Sequence, residues 1–506
     1  MKRILNQFCV RLAGFSIAIA FCVTVPASAQ KASAKAEDTK AGLNVPLDES
    51  VISRNGISNG SFAPIVKKVG PAVVKIVSTS VVTNSAAQNP VSSDPFWRRF
   101  FGGRMLPPHS TGPFREHGLG SGVIVSQDGY ILTNDHVVGR AGAVTVNLQD
   151  GRQFTAKVVG RDPGYDIAVV KIDAKDLPVL TLADSSNVQV GDMVLAVGNP
   201  FGVGQTVTQG IVSATGRGNM GIEDFEDFIQ TDAAINPGNS GGALVDIEGR
   251  LIGINTAILT RSGGYQGVGF AIPAELAHDV MGSLVKYGRV TRGYLGVAIQ
   301  DITPALAQEF KLKDRQGALV AEVAPGGPAA KAGLKNGDVI LEMNGEMVKD
   351  GRHLKLTVAD IAPGTSVPLT VWRDGSEKQL ELKVTQTPKS EEVAQTSSGT
   401  TKDKDKENGK LKGVAVDNLS PELRSVLSVP ADVKGALVMA IEMDCAAAEA
   451  GLRPGDVIEE IDRHPIKDAA EAAKLAENAG NKHTLLRVWS NGGAHYLVVD
   501  ESEKAG

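Results

Sequence analysis

The sequence predicts a mainly β protein in which one large domain, a β-barrel or sandwich, is followed by two copies of a smaller module. Three observations carry this reading. From residue 70 to residue 273, short apolar, β-branched runs alternate with Gly, Asn and Asp, as in Ala72-Val73-Val74-Lys75-Ile76-Val77, Ala143-Val144-Thr145-Val146-Asn147-Leu148, Met193-Val194-Leu195-Ala196-Val197 and Leu251-Ile252-Gly253-Ile254. Runs of that length between turn signals read as antiparallel strands. The segment 329–342 returns as 447–460, 118 residues on, identical at ten of fourteen positions, which marks a duplicated domain. Residues 389–412, between the copies, are rich in Ser, Thr, Lys, Asp and Glu and nearly free of large apolar side chains. Such a stretch cannot bury a core and reads as a flexible linker. A chain of 506 residues has length enough for three cores.

The N-terminus reads as an export signal. Residues 1–29 carry Lys2, Arg3 and Arg11 with no acid, then an apolar run over 12–25, then Ala27-Ser28-Ala29 before Gln30. The apolar run is shorter than the roughly 20 residues that span a bilayer, which argues against a membrane anchor. A lipid anchor at Cys22 is disfavoured by bulky Phe21 before it. Cleavage after Ala29 would remove three of 52 basic residues and none of 57 acidic ones, leaving a net charge of −8. That balance points away from nucleic acid and acidic surfaces as partners. Cys9 and Cys22 leave with the signal, so Cys445 remains alone, without an internal disulfide, and reads as a small apolar filler.

Within the large domain one insertion breaks the strand rhythm. Residues 82–118 form a long loop of Asn, Ser, Pro and Gly that also holds Phe96-Trp97-Arg98-Arg99-Phe100-Phe101. Clustered aromatics in such a loop favour a functional element.

The chemistry is concentrated in three segments. Asn236-Pro237-Gly238-Asn239-Ser240-Gly241-Gly242 runs directly into the apolar strand Ala243-Leu244-Val245. A serine hydroxyl becomes a useful nucleophile when a tight turn exposes it beside a base. The glycines permit that turn and let the amides of Gly238 and Ser240, with Asn239 between them, converge as an oxyanion hole. For the base, Ser121-Gly122-Val123-Ile124-Val125-Ser126 and Tyr130-Ile131-Leu132-Thr133-Asn134-Asp135-His136 read as a strand, a turn and a second strand ending at His136. The sequence has no His-Glu-x-x-His or cysteine pair to make that histidine a metal ligand, and no metal or cofactor is expected. The orienting acid is Asp166, which opens the strand Ile167-Ala168-Val169-Val170. Asp135 is the weaker candidate, because adjacent strand residues point to opposite faces. The order His, Asp, Ser within about a hundred residues is that of the chymotrypsin-like barrels. An esterase of unrelated fold is disfavoured, since a strand and not a helix follows the serine.

His136 in Thr-Asn-Asp-His-Val-Val, Asp166 in Asp-Ile-Ala-Val-Val, Ser240 in Gly-Asn-Ser-Gly-Gly, and Gly253-Ile254-Asn255-Thr256 together resemble the HtrA family, of the DegP/DegQ (Do-like) kind. The repeated Ala-Gly-Leu-x-x-Gly-Asp-Val-Ile is similar to the core of a PDZ domain. The resemblance implies a trypsin-like double β-barrel protease domain over 62–277, with 82–118 as its regulatory loop, and two α+β PDZ domains over 281–388 and 411–503, joined by a linker over 389–410. It also implies a periplasmic, ATP-independent serine endopeptidase of protein quality control, with unfolded proteins and peptide C-termini as partners, chaperone activity, and a homotrimer able to form larger cages. By the same resemblance Asn255, Thr256, Ala257 and Ile258 form the substrate pocket, with Ile258 at its base. No carboxylate stands there to receive Lys or Arg, so small aliphatic side chains are expected.

Three further expectations follow. Digestive serine proteases carry an Asp before the nucleophile that pairs with a new N-terminal ammonium, whereas Asn239 stands here. Activation then needs no N-terminal cut, and some other contact must order the oxyanion loop. Arg292-Gly293-Tyr294-Leu295-Gly296-Val297 resembles a PDZ carboxylate-binding loop, in which Gly296 allows close approach and Tyr294, Leu295 and Val297 border an apolar pocket. The second copy opens with Leu411-Lys412-Gly413-Val414, where Lys412 replaces Leu295, so assembly is its expected role. A binding scaffold with a dead barrel is the competing reading, and the complete set of three catalytic residue types argues against it.

Overall fold

The computed structural model describes residues 45–50, 60–82, 114–139, 141–199, 204–258, 265–387, 409–411, 413–478, 483–490 and 492–501. The export signal, most of the 82–118 insertion, residues 389–408 of the linker and Lys412 lie outside the described residues.

Six antiparallel strands close the first barrel in the ring order Val73–Val82, Phe114–Ile124, Tyr130–Thr133, Ile167–Lys171, Gln153–Asp162 and Ala143–Asn147. Ile167–Lys171, which also faces the second barrel, lacks polar alternation because both its faces are buried, while Ala143–Asn147 and Gln153–Asp162 alternate between buried and exposed positions. Val74, Ile76, Ile124, Ile131, Ala168 and Val170 fill the barrel. Their neighbours Val73, Val123, Val125, Leu132, Ile167 and Val169 face outward, into a core shared with the second barrel.

The second barrel takes Leu251–Ile258, Ala243–Val245, Met193–Gly198, Thr206–Arg217, Phe228–Thr231 and Gly269–Pro273 in ring order, closed by pairing of the first with the last. Val194, Ala196, Ile229, Leu244 and Ile252 lie inside it, while Leu195, Val197, Phe228, Ala243, Val245 and Phe270 complete the shared core. Helix Ala274–Tyr287 then covers that core with Ala274, Ala277, Val280, Met281 and Leu284. This is the three-and-four spacing of one helical face. The segments that hold His136, Asp166 and Ser240 sit at the edges of this shared core, where the barrels meet.

Each repeated segment folds as a short helix, a turn and a strand, namely Pro328–Lys331 then Val339–Met343, and Ala446–Glu449 then Val457–Ile461. In the first module the strand Val297–Gln300 lies at the sheet edge, paired among the described residues on one side only, with Ala318–Val323. Helix Gly351–Asp360 is its groove partner. In the second the counterparts are strand Val414–Asn418 and helix Ala469–Asn478.

The modules pack on each other through Phe310, Leu319, Ala321 and Val339 of the first and Leu485 and Tyr496 of the second. Phe310 and Tyr496 meet edge to face with centroids 5.7 Å apart, a geometry that aromatic quadrupoles favour.

Candidate active site

Strand Tyr130–Thr133 stops short of the histidine, and His136 lies in a one-turn helix, Asp135–Val138, correcting the expectation that it ends a strand. Asp166 precedes strand Ile167–Lys171 with φ 56°, in the left-handed region. Aspartate tolerates that region better than most residues. Here it is held from both ends. The Asp166 carbonyl accepts from Asn134 Nδ2 at 2.9 Å and from the Asp135 amide at 3.2 Å. Its carboxylate accepts the His136 amide on Oδ1 at 2.9 Å and places Oδ2 2.8 Å from His136 Nδ1. Asp135 is engaged elsewhere, accepting from Arg161 Nε at 2.5 Å and Nη2 at 3.0 Å. It is indeed not the histidine's partner, but the reason is this ion pair and not strand alternation.

Ser240 is 5% exposed, and its hydroxyl donates to the Thr256 carbonyl at 3.1 Å. Thr256 Oγ1 in turn donates to Asp166 Oδ2 at 2.6 Å. One residue of strand Leu251–Ile258 therefore touches both Ser240 and Asp166. Asn255 and Thr256, both expected in the substrate pocket, lie on this strand with their side chains turned into the fold. Both are fully buried, and Asn255 Nδ2 is spent on the Ala243 carbonyl at 3.0 Å. Ala257 is buried as well, and Ile258 packs with Ala233, Ile235 and Val212 in an apolar cluster.

In the oxyanion loop Gly238 has φ 100°, a conformation that suits glycine. The Asn239 amide donates to Asn236 O at 2.9 Å, so it is not available as an oxyanion donor. That removes Asn239 from the expected set. Among the described residues the amides of Gly238 and Ser240 donate to no acceptor, which leaves them free for a developing oxyanion. The Asn239 side chain is buried, with a long 3.4 Å contact from Nδ2 to Ala234 O and no ion pair.

The contact that orders this loop is Ser121, which the sequence reading placed only in a strand. Its amide donates to Ser240 O at 2.8 Å and its hydroxyl donates to Gly238 O at 2.6 Å. The same hydroxyl accepts from the Asn199 amide at 2.8 Å, and Thr133 Oγ1 holds the Ser121 carbonyl at 2.7 Å. A fully buried serine thus ties the nucleophile's loop to the first barrel. The signal was a serine between two glycines, 120 and 122, at the apolar end of its strand.

The first module's loop and the barrels are also in contact. Tyr294, Leu295, Gly296 and Val297 share one groove of about 650 Å³ with Leu354 of the groove helix and with Phe225 of the second barrel. Leu295 is 3% exposed and packs mainly into the module's core. Arg292, at the start of the loop, forms a two-pronged ion pair with Asp162 and stacks between Tyr165 and Phe225, 4.7 and 4.6 Å from their ring centroids. Glu226 organises the facing barrel loop by accepting the amides of Met220, Ile222 and Glu223 at 2.6, 2.5 and 3.0 Å. Burial pushes the Glu223 carboxyl up to about 9, and the charge of Asp166 adds to the rise. Neither glutamate was singled out from sequence.

Family models match in three places, a trypsin-like peptidase domain over residues 120–254 and PDZ domains over 293–384 and 437–490. The chain is similar to the periplasmic serine endoprotease DegP-like of Chlamydia trachomatis serovar D, with 40% identity over 491 residues, 93% of this chain and 96% of that protein. It is similar to the protein of the same name from Pseudomonas fulva, with 41% identity over 456 residues, 87% of this chain and 94% of that protein. Among solved structures it resembles the HtrA-type protease AlgW with decapeptide, at 48% identity and a TM-score of 0.55, over 65% of this chain and all of that one.

Proposed function

The chain belongs to the HtrA family of serine endopeptidases, among its DegP-like members, and from that premise we propose that it is a periplasmic enzyme that cuts unfolded or damaged proteins at Ser240. The observation that carries the proposal is the shared hydrogen-bond chain from His136 Nδ1 to Asp166 Oδ2, to Thr256, to Ser240 Oγ. Asp166 fixes the histidine tautomer with the proton on Nδ1, which leaves Nε2 as the basic nitrogen. His136 takes the Ser240 proton as the hydroxyl attacks the scissile carbonyl, then returns it to the leaving amine. The amides of Gly238 and Ser240 receive the negative charge that develops on the carbonyl oxygen. Asp166 stays ionised throughout, supported by the Thr256 hydroxyl and the His136 amide. The apolar cluster at Ile258 favours small aliphatic side chains before the cut.

The other parts of the reading rest on the family and the sequence. Residues 1–29 export the chain, residues 82–118 regulate it, and the first PDZ domain, within 281–388, binds apolar C-termini of substrates in its open groove. The chain holds unfolded proteins as a chaperone as well as cutting them, and it works as a homotrimer that builds larger cages.

Ser240→Ala tests the proposal. Casein cleavage should fall by on the order of 10⁴ to 10⁶, while peptide binding is retained. Residual cleavage at a tenth of the wild-type rate would sink the assignment.

A further inference from the structure

We propose that the peptide groove of the second PDZ domain is occupied by the chain's own residues 409–411, so that this domain takes a cis segment as its ligand while only the first domain is open to substrate. Strand Gly409–Leu411 pairs antiparallel with the groove strand Val414–Asn418, in the register Gly409↔Val416, Lys410↔Ala415 and Leu411↔Val414. It also runs alongside the groove helix Ala469–Asn478. This is the place where an added peptide strand lies in β-augmentation. The direction is the same too, because the segment runs toward the loop glycine, Gly413, as a peptide does when its C-terminus is held there.

The first domain shows the alternative. There the corresponding stretch, Gly293–Tyr294, pairs with Thr385–Gln386 and not with Val297–Gln300, whose outer edge is unpaired among the described residues.

Two features keep the cis segment in place. Only two residues separate Leu411 from Val414, so the local concentration of the strand is set by a very short tether, in the millimolar range or above. A free peptide of micromolar affinity has to compete with that. The surroundings of the loop also differ. A Cβ built on Gly413 would lie 3.2 Å from a Glu442 carboxylate oxygen, whereas at Gly296 the corresponding neighbour is the Ala324 methyl at 3.5 Å. Beside the loop glycine an anionic terminus meets the Glu442 carboxylate in the second domain, where the first presents the Ala324 methyl.

Hydrogen exchange on the full chain carrying Ser240→Ala tests this, with a decapeptide ending in Ala-Val-Val and a free carboxylate as probe. Without peptide, the amides of 414–418 should be protected. Saturating peptide should slow exchange over 293–300 and leave 414–418 unchanged. A second variant, Lys410→Pro with Leu411→Gly, disrupts the cis strand and should speed exchange over 414–418 at least tenfold while 436–441 and 457–461 remain protected. Peptide protection of 414–418 equal to that of 297–300 in the otherwise wild-type chain would overturn the proposal, as would fast exchange over 414–418 before any variant is made. The peptide arm needs no variant in the groove, so it decides the question even if the double variant fails to fold.

Discussion

The two PDZ domains share ten of the fourteen residues of their repeated segment, yet they differ at the groove and in what anchors them. In both, the repeat builds the same corner. A buried aspartate, Asp338 or Asp456, accepts the amide of Lys335 or Arg453 at 2.8 Å and fixes the turn between helix and strand. The copies agree where a buried turn must be satisfied. They differ where a ligand would sit, with Ala324 against Glu442 beside the loop glycine. They differ again in their anchorage. The first domain is fixed to the barrels by Arg292, and the second is fixed to the first by Tyr496, by Gln300 bonded to the Tyr496 backbone, and by Arg487, whose Nε donates to Ala321 O at 2.9 Å. The lesson is that a repeated motif identifies a framework, and the residues outside it decide what each copy does.

Breaking the first anchor should have the largest effect. Arg292→Ala leaves Asp162, with 3% side-chain exposure, without its cation. Removing one partner of a buried pair costs roughly 3–5 kcal/mol. Urea unfolding of the full chain should show that loss in the barrels and first domain, while hydrogen exchange at 436–441 in the second domain is unaffected. Arg292→Lys should lose less, keeping the charge but not the plane stacked between Tyr165 and Phe225. A shift below about 1 kcal/mol for the alanine variant would mean that Arg292 does not anchor the domain.

The second anchor should respond to pH. Glu459 is paired with Arg487 at 3.0 Å, while the same position in the first copy is Leu341. Burial pushes the Glu459 carboxyl up to about 7, against the lowering effect of Arg487, from an ordinary value of 4.5. The folded domain therefore holds this proton more tightly than the unfolded chain does. Stability declines as pH rises from about 4.5 through 7 and is level above that window, a loss of about 3 kcal/mol that solvent screening of a partly exposed group reduces to roughly 2 kcal/mol. Urea midpoints of the second domain at pH 5 and pH 8 check the slope, and Glu459→Gln should flatten it. A midpoint that rises over this interval in the wild type but not in the variant would contradict the sign.

Much of this was legible in sequence because it is local. His136, Asp166 and Ser240 each sit in a segment whose turn residues and flanking strands can be read within ten positions. The barrel strands that face both cores were legible because both their faces are buried, which leaves unbroken β-branched runs such as Val73-Val74 and Val169-Val170. What could not be read depends on distant partners or on handedness. Thr256 reaches Asp166 across 90 residues, and nothing near it signals a carboxylate. Ser121 reaches Gly238 across 117. The Asn239 amide is lost to the oxyanion hole because the loop turns it onto Asn236, a matter of backbone angle that residue type does not specify. Strand Gly409–Leu411 was hidden for another reason. Gly-Lys-Leu at the end of a polar linker has almost no β propensity, and only the presence of an open sheet edge makes it a strand.

The sharpest use of the comparison is the charge of the ligand's last atom. In the first domain the Ala324 methyl lies beside Gly296, and the proposed function has the loop amides there meet a terminal carboxylate. Replacing that carboxylate with an amide removes the negative charge and keeps the strand contacts, so it isolates what the loop itself recognises. Full chain with Ser240→Ala should bind an apolar peptide acid in the micromolar range and its C-terminal amide at least about tenfold more weakly, a loss of roughly 1.4 kcal/mol. In a chain whose first groove is closed by Gly296→Val, where φ is 76° and a branched side chain is strained, neither ligand should bind and no difference between acid and amide should remain. Calorimetry reads both quantities. Equal affinity of acid and amide for the Ser240→Ala chain would show that the loop does not read the carboxylate. An acid preference persisting after Gly296→Val would place carboxylate recognition in the second domain, beside Glu442, where the structure gives it the least support.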